Sequence, residues 1–211
     1  METLLAMLLI TGAVALGAVS PGPSFVLVAR TAVAGSRSHG LAMALGIGLG
    51  GVVFVVAALL GLHLLFNSVA WLGFAFKLLG GVYLILLGIL IWRAARQPAP
   101  LPEAGAGPRP GTAWRAFGLG FLTQVSNPKA VVIYASILAA LLPREVPRLV
   151  PVVLPPLIFL VEAGWYAVVA LLLSAPAPRA LYGRAKVWVD RLAGGVLVLL
   201  GLRLLAGVWP T

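Results

Sequence analysis

Pro21-Gly22-Pro23 stands near the middle of an apolar run from about Leu4 to Ala34, and Asn127-Pro128-Lys129 near the middle of another from about Ala113 to Leu142. Each run is about 30 residues long, whereas about 20 helical residues cross a hydrocarbon layer of about 30 Å. Both interruptions are therefore placed at membrane depth. Irregular backbone survives there only where protein buries it or where it lines a wet cavity. Interruptions in corresponding places of two halves are the sequence mark of a transporter's binding site.

The composition agrees with a membrane setting. The 211 residues are 62% hydrophobic and 9% charged, against about 25% charged in a soluble domain. The apolar runs are long and unbroken by alternation, which selects helical spans over an outer-membrane barrel. The net charge of +10 would suggest nucleic acid on a soluble protein. Here the basic residues gather in short loops between spans, so no nucleic-acid partner is expected. With no cysteine, there are no disulfides, thiolate metal sites or thiol chemistry. His39 and His63 are too far apart to suggest a metal site. A retained first span is expected rather than a signal peptide, because no basic segment precedes the apolar one.

The fold expected is an all-α membrane protein of six transmembrane helices. The spans are placed at about Leu4–Ala34 (broken), Leu41–Leu65, Val69–Trp92, Ala113–Leu142 (broken), Leu149–Ser174 and Leu192–Val208. Residues 1–93 form a first three-helix repeat and residues 113–211 a second. Residues 94–112, with Pro98, Pro100, Pro102, Pro108 and Pro110, form a linker between them. Gly81-Val82-Tyr83-Leu84-Ile85-Leu86-Leu87-Gly88 parallels Gly194-Gly195-Val196-Leu197-Val198-Leu199-Leu200-Gly201. With three spans per repeat the second half must be inverted relative to the first, each repeat opening with a helix broken at proline. Arg30 and Arg37 fall in the first loop, Arg93, Arg96, Arg109 and Arg115 in the third, and Arg179, Arg184, Lys186 and Arg191 in the fifth. The second loop, His63 to Ser68, has no lysine or arginine, and the fourth has Arg144 and Arg148 with Glu145 between them. Loops one, three and five are therefore expected in the cytoplasm and both termini outside. Trp71, Trp92, Trp114 and Trp209 mark span ends.

The breaks carry the chemistry. Proline frees carbonyls and glycine allows close approach. A half-helix beginning at a break points N–H groups into the cavity and suits a carboxylate. One ending there offers carbonyls and suits an ammonium. Two inverted breaks together suit a zwitterionic amino acid. Pro21, Gly22, Pro23, Ser24, Asn127, Pro128 and Lys129 are the candidate substrate-binding or transport residues. Lys129 is read as a partner for a substrate carboxylate or for proton coupling, or alternatively as a snorkelling surface lysine. Asn127 is read as a ligand or as a helix cap. Glu162 is the one carboxylate well inside a span; it is the candidate for proton coupling, with an ion pair to Lys129 or Lys77 as the structural alternative. Lys77 and Arg203 are read as snorkelling, and Gly46, Gly48, Gly50 and Gly51 as close helix packing. Neither Ser24 nor Ser126 has a histidine or acid neighbour for catalysis, and no nucleotide motif is present.

These motifs carry a family likeness. Ser20-Pro21-Gly22-Pro23 is followed by Gly35 through Gly40 and by Gly46-Ile47-Gly48-Leu49-Gly50. Phe117-Gly118-Leu119-Gly120-Phe121-Leu122-Thr123 leads to Asn127-Pro128-Lys129-Ala130, and the tail is Gly201-Leu202-Arg203-Leu204-Leu205. Over essentially the whole chain this resembles the LysE/RhtB family of amino-acid exporters. The resemblance implies a dimeric, six-span protein of the bacterial inner membrane that expels amino acids or derivatives using the proton gradient. It carries motif roles onto Pro21, Gly22, Pro23, Asn127, Pro128 and Lys129. It also places Glu162 where many relatives have an acid in span five. Many relatives have an aspartate in span two where this chain has Gly51-Val52-Val53. That departure leaves proton coupling to Glu162 or to another route and favours a neutral substrate over a dibasic one. A passive channel, a metal-cation exporter and a structural or enzyme subunit are the competing readings. One buried acid and no clustered histidine make a poor cation cage, and no catalytic constellation supports an enzyme.

Overall fold

The computed structural model describes residues 2–20, 22–33, 37–68, 70–97, 111–142, 146–174 and 176–206. Pro21, Glu103, Arg109, Arg144, Glu145, Trp209 and the proline-rich stretch 98–110 lie outside the described residues, as do the side chains of His63, Trp71, Lys77, Arg179 and Arg184. Eight helices and no strand are found among the described residues: α1 Glu2–Val19, α2 Pro23–Val33, α3 Arg37–Ser68, α4 Ala70–Ala94, α5 Ala113–Val125, α6 Pro128–Leu141, α7 Leu149–Leu173 and α8 Pro176–Ala206.

Local chemistry sets the helix starts. Pro23 and Pro128 are the first residues of α2 and α6, a position where the missing N–H costs nothing. The Asn127 side chain caps α6 by accepting from the Lys129 N–H at 3.0 Å. Gly111, at φ 56°, turns the chain in the left-handed region. Thr112 then caps α5 by accepting from the Arg115 N–H at 3.2 Å.

The burial pattern is that of a protein in lipid. Leu4, Leu8, Leu60, Leu79, Leu160 and Leu199 are exposed, while Ser24, Gln124, Asn127, Glu162, Lys186 and Asp190 are buried. A water-soluble chain places these classes the other way round. By length and composition, Arg37–Gly61 and Leu149–Leu173 can each cross a membrane, and Thr3–Val19 with Pro23–Val33 can do so as a pair bent by 56°. Leu78–Ala94 and Pro128–Leu141 are shorter apolar helices.

Two loop expectations are corrected. The fifth loop is helical, because α8 starts at Pro176 rather than near Leu192. Lys186 and Asp190, one turn apart, form a buried ion pair at 2.7 Å, and Lys186 also donates to the Ala94 carbonyl at the end of α4 at 3.1 Å. These contacts bind the charged part of α8 into the protein. The second loop is likewise absorbed, since α3 runs to Ser68 and α4 begins at Ala70.

Glycines let helices touch. α4 packs chiefly on α8, and α3 chiefly on α5 and α7. A Cβ at Gly88 would lie 2.6 Å from the Gly194 carbonyl oxygen, and one at Gly194 would lie 2.6 Å from that of Gly88. A Cβ at Gly201 would lie 2.6 Å from the Gly81 oxygen. On α3, a Cβ at Gly46 would strike the Phe117 carbonyl, and a Cβ at Gly120 would strike that of Met43. One apolar cluster joins α1, α6 and α7 through Ile10, Ile137 and Ile158. Another joins α2, α3 and α7 through Phe25, Ile47 and Ala170.

Candidate functional site

The two helix breaks meet where these clusters adjoin. α1 ends at Val19 and α2 starts at Pro23, while α5 ends at Val125 and α6 starts at Pro128. A small cavity between them is lined by Gly17, Ser20, Gly22, Gln124, Asn127 and Lys129 on the polar side, with Glu162, Tyr134 and Tyr166 closing it. The space open to the centre of a water-sized sphere is about 20 Å³, enough for about one water molecule and too little for any amino acid. This conformation is therefore contracted around the site.

A line of hydrogen bonds joins the breaks to α7. Asn127 Nδ2 donates to Ser24 Oγ at 3.3 Å, and Ser24 Oγ donates to Gln124 Oε1 at 2.7 Å. Gln124 Nε2 then donates to both Glu162 oxygens, at 3.0 and 2.8 Å. All four bonds donate in the same direction, towards the Glu162 carboxyl group. Each member is buried, which makes a satisfied network costly to break. The Tyr134 hydroxyl stands beside it without an aligned hydrogen bond. A Cβ at Gly51 would lie 2.6 Å from Glu162 Oε2 and 2.7 Å from Tyr134 Oη. A Cβ at Gly50 would lie 2.7 Å from the Gln124 side chain. The absence of a side chain at Gly50 and Gly51 thus lets Gln124 and Glu162 lie against α3.

Lys129 reaches the other way. Its Nζ donates to the Ser20 carbonyl at 2.8 Å and to that of Gly17 at 3.3 Å, at the end of α1. It neither snorkels outward nor pairs with Glu162, whose carboxylate is occupied by Gln124. Asn127 caps α6 and also donates to Ser24 within the protein. Ser24 lies behind the cavity wall and touches it through Gln124 and Asn127. Pro23 and Pro128 are exposed and do not line the cavity. Their part is to interrupt the helices. The sequence alone does not single out Gln124, Ser20, Tyr134 or Tyr166 as site residues. A glutamine inside an otherwise apolar run was the available signal for the first of them. Among the described residues, no three His, Cys, Asp or Glu side chains cluster.

The family model for the LysE type translocator matches residues 15–207. The chain belongs to the LysE-type translocator family. This LysE-type chain is thus a translocator of the membrane and not an enzyme. It is 34% identical over 190 residues to the threonine efflux protein of Escherichia coli (strain K12), with 88% of this chain and 90% of that protein covered. It is 33% identical over 186 residues to the threonine efflux protein of Salmonella typhi, with the same coverage. An uncharacterized membrane protein of Haemophilus influenzae is 30% identical over 186 residues, covering 88% of this chain and 89% of that protein. No solved structure matches the chain.

Proposed function

We propose that this translocator exports a small neutral amino acid across the bacterial inner membrane, driven by the proton gradient. Threonine is the first substrate to test, given the names of its relatives. The observation that carries the reading is the meeting of both broken helices at one polar cavity, with Lys129 and Asn127 from one break facing Gly17, Ser20 and Gly22 from the other. Carbonyls at the end of α1 suit an ammonium, and the Lys129 ammonium and the start of α6 suit a carboxylate.

Glu162 is the proton carrier in this scheme. As a carboxylate it only accepts hydrogen bonds, in keeping with a line in which Asn127, Ser24 and Gln124 all donate towards it. Protonation gives Glu162 one O–H donor and leaves one oxygen to accept, so Gln124 loses one of its two bonds there, and where it turns its amide to accept the new proton it donates to Ser24 in exchange. Protonation in α7 would thereby change the bonding at the first turn of α2, beside the first break. The substrate and the proton then act on one hydrogen-bonded group.

The wider architecture belongs to the same proposal: six spans, two inverted halves at residues 1–93 and 113–211 joined by 94–112, both termini outside, and a homodimer. The glycine contacts support the inversion. Exchanging Gly81 with Gly194 and Gly88 with Gly201 maps the 81–201 contact onto the 194–88 contact, as a two-fold axis requires. Arg37, Arg93, Arg96 and Arg115 are all exposed near helix ends, in keeping with a cytoplasmic basic face.

Inverted vesicles with an imposed proton gradient test the function. Wild-type protein is expected to accumulate threonine. Glu162→Gln is expected to lose gradient-driven accumulation and keep exchange of labelled for unlabelled threonine. Accumulation by the variant at the wild-type rate would remove Glu162 from the coupling role.

A further inference from the structure

In the contracted cavity a cation already occupies the α1 terminus, and that cation is Lys129. Its Nζ binds the Gly17 and Ser20 carbonyl oxygens at 3.3 and 2.8 Å. These groups sit at the partly negative end of α1, and neutral oxygens in this arrangement are ligands for a primary ammonium with its three donors. The side chain also lies across the first break. A Cβ at Gly22 would stand 3.3 Å from Lys129 Cδ and 3.5 Å from Nζ. Its hydrogen-bond partners are two neutral carbonyls, while Asp190, already paired with Lys186, acts on this ammonium only through space. Such bonds are weaker than those to an ionised partner, and a second ammonium can replace the first without opening an ion pair.

We propose that Lys129 is a tethered stand-in for the substrate's ammonium. It fills the ammonium subsite, formed by the Gly17 and Ser20 carbonyls, while the carrier is empty. It leaves that subsite when an amino acid enters, and its released ammonium then meets the carboxylate of the same molecule. The proposal rests on the amino-acid reading given above and adds the position of the ammonium subsite and the residue that competes for it.

The probe that isolates this subsite is the amino alcohol of threonine, which keeps the ammonium and side chain and has no carboxylate. Its binding to purified wild-type protein is compared by calorimetry with that to Lys129→Met and Lys129→Gln. The glutamine variant keeps a hydrogen-bonding head for the two carbonyls and so provides a second chance of a folded protein. Lys129→Met is expected to bind the probe about tenfold more tightly than wild type, because the internal competitor is gone, and Lys129→Gln to gain less, because a neutral amide competes more weakly than an ammonium. Threonine itself is expected to lose part of that gain, having lost its carboxylate partner. If wild type transports threonine and the folded variant binds the amino alcohol no more tightly, the stand-in proposal is overturned and the export reading stands. If wild type transports no amino acid, the export reading fails and this inference fails with it.

Discussion

At the scale of single residues, Gly51 shows how little space the site leaves. A methyl group there would press on both Glu162 Oε2 and Tyr134 Oη. Both are ends of side chains and can yield, so Gly51→Ala is expected to remain folded. The carboxylate can yield only by loosening its bonds to Gln124. Gradient-driven transport is expected to fall by about tenfold or more, the rate equivalent of ~1.4 kcal/mol of misplaced bonding. Transport assays beside thermal unfolding of the variant check this, and an unimpaired rate would show that the carboxylate need not hold its place. Proline and glycine were readable as breaks because each acts on its own backbone. Gln124 was not, because its role comes from partners on α2 and α7 that no local spacing announces.

Among the helices, the crossing of α4 and α8 depends on the carbonyl of one helix nearly touching the glycine of the other. Gly194→Val would place its Cβ 2.6 Å from the Gly88 oxygen. Backbone cannot swing aside as a side-chain tip can, so the helices must separate. Destabilisation of about 1–3 kcal/mol is expected from such overpacking, read as a lower unfolding temperature in detergent. An unchanged temperature would mean that the crossing adjusts freely. The matched strings beginning at Gly81 and Gly194 were visible in the sequence, although which glycine would face which was not. The early start of α8 was hidden for a different reason. Lys186 and Asp190 raise local polarity as a loop does, and only the fold shows that they neutralise each other inside.

For the molecule as a whole, this ion pair fastens the end of α4 to α8. Lys186→Met would leave Asp190 buried and uncompensated, with its Oδ1 already lacking a partner. A loss of about 3–5 kcal/mol is expected for such a broken buried pair. Replacing both residues, as Lys186→Met with Asp190→Leu, is expected to recover most of it. Thermal unfolding of the single and double variants decides this, and a double variant no more stable than the single one would show that the uncompensated charge is not the cause of the loss. The feature with the widest consequence is the smallness of the central cavity, with room for about one water. An inner membrane works as a charged capacitor, and every idle protein in it is a possible short circuit. A chamber filled by the protein's own lysine and amides leaves ions no continuous wet path through this conformation, and so little leak across the voltage that the membrane holds.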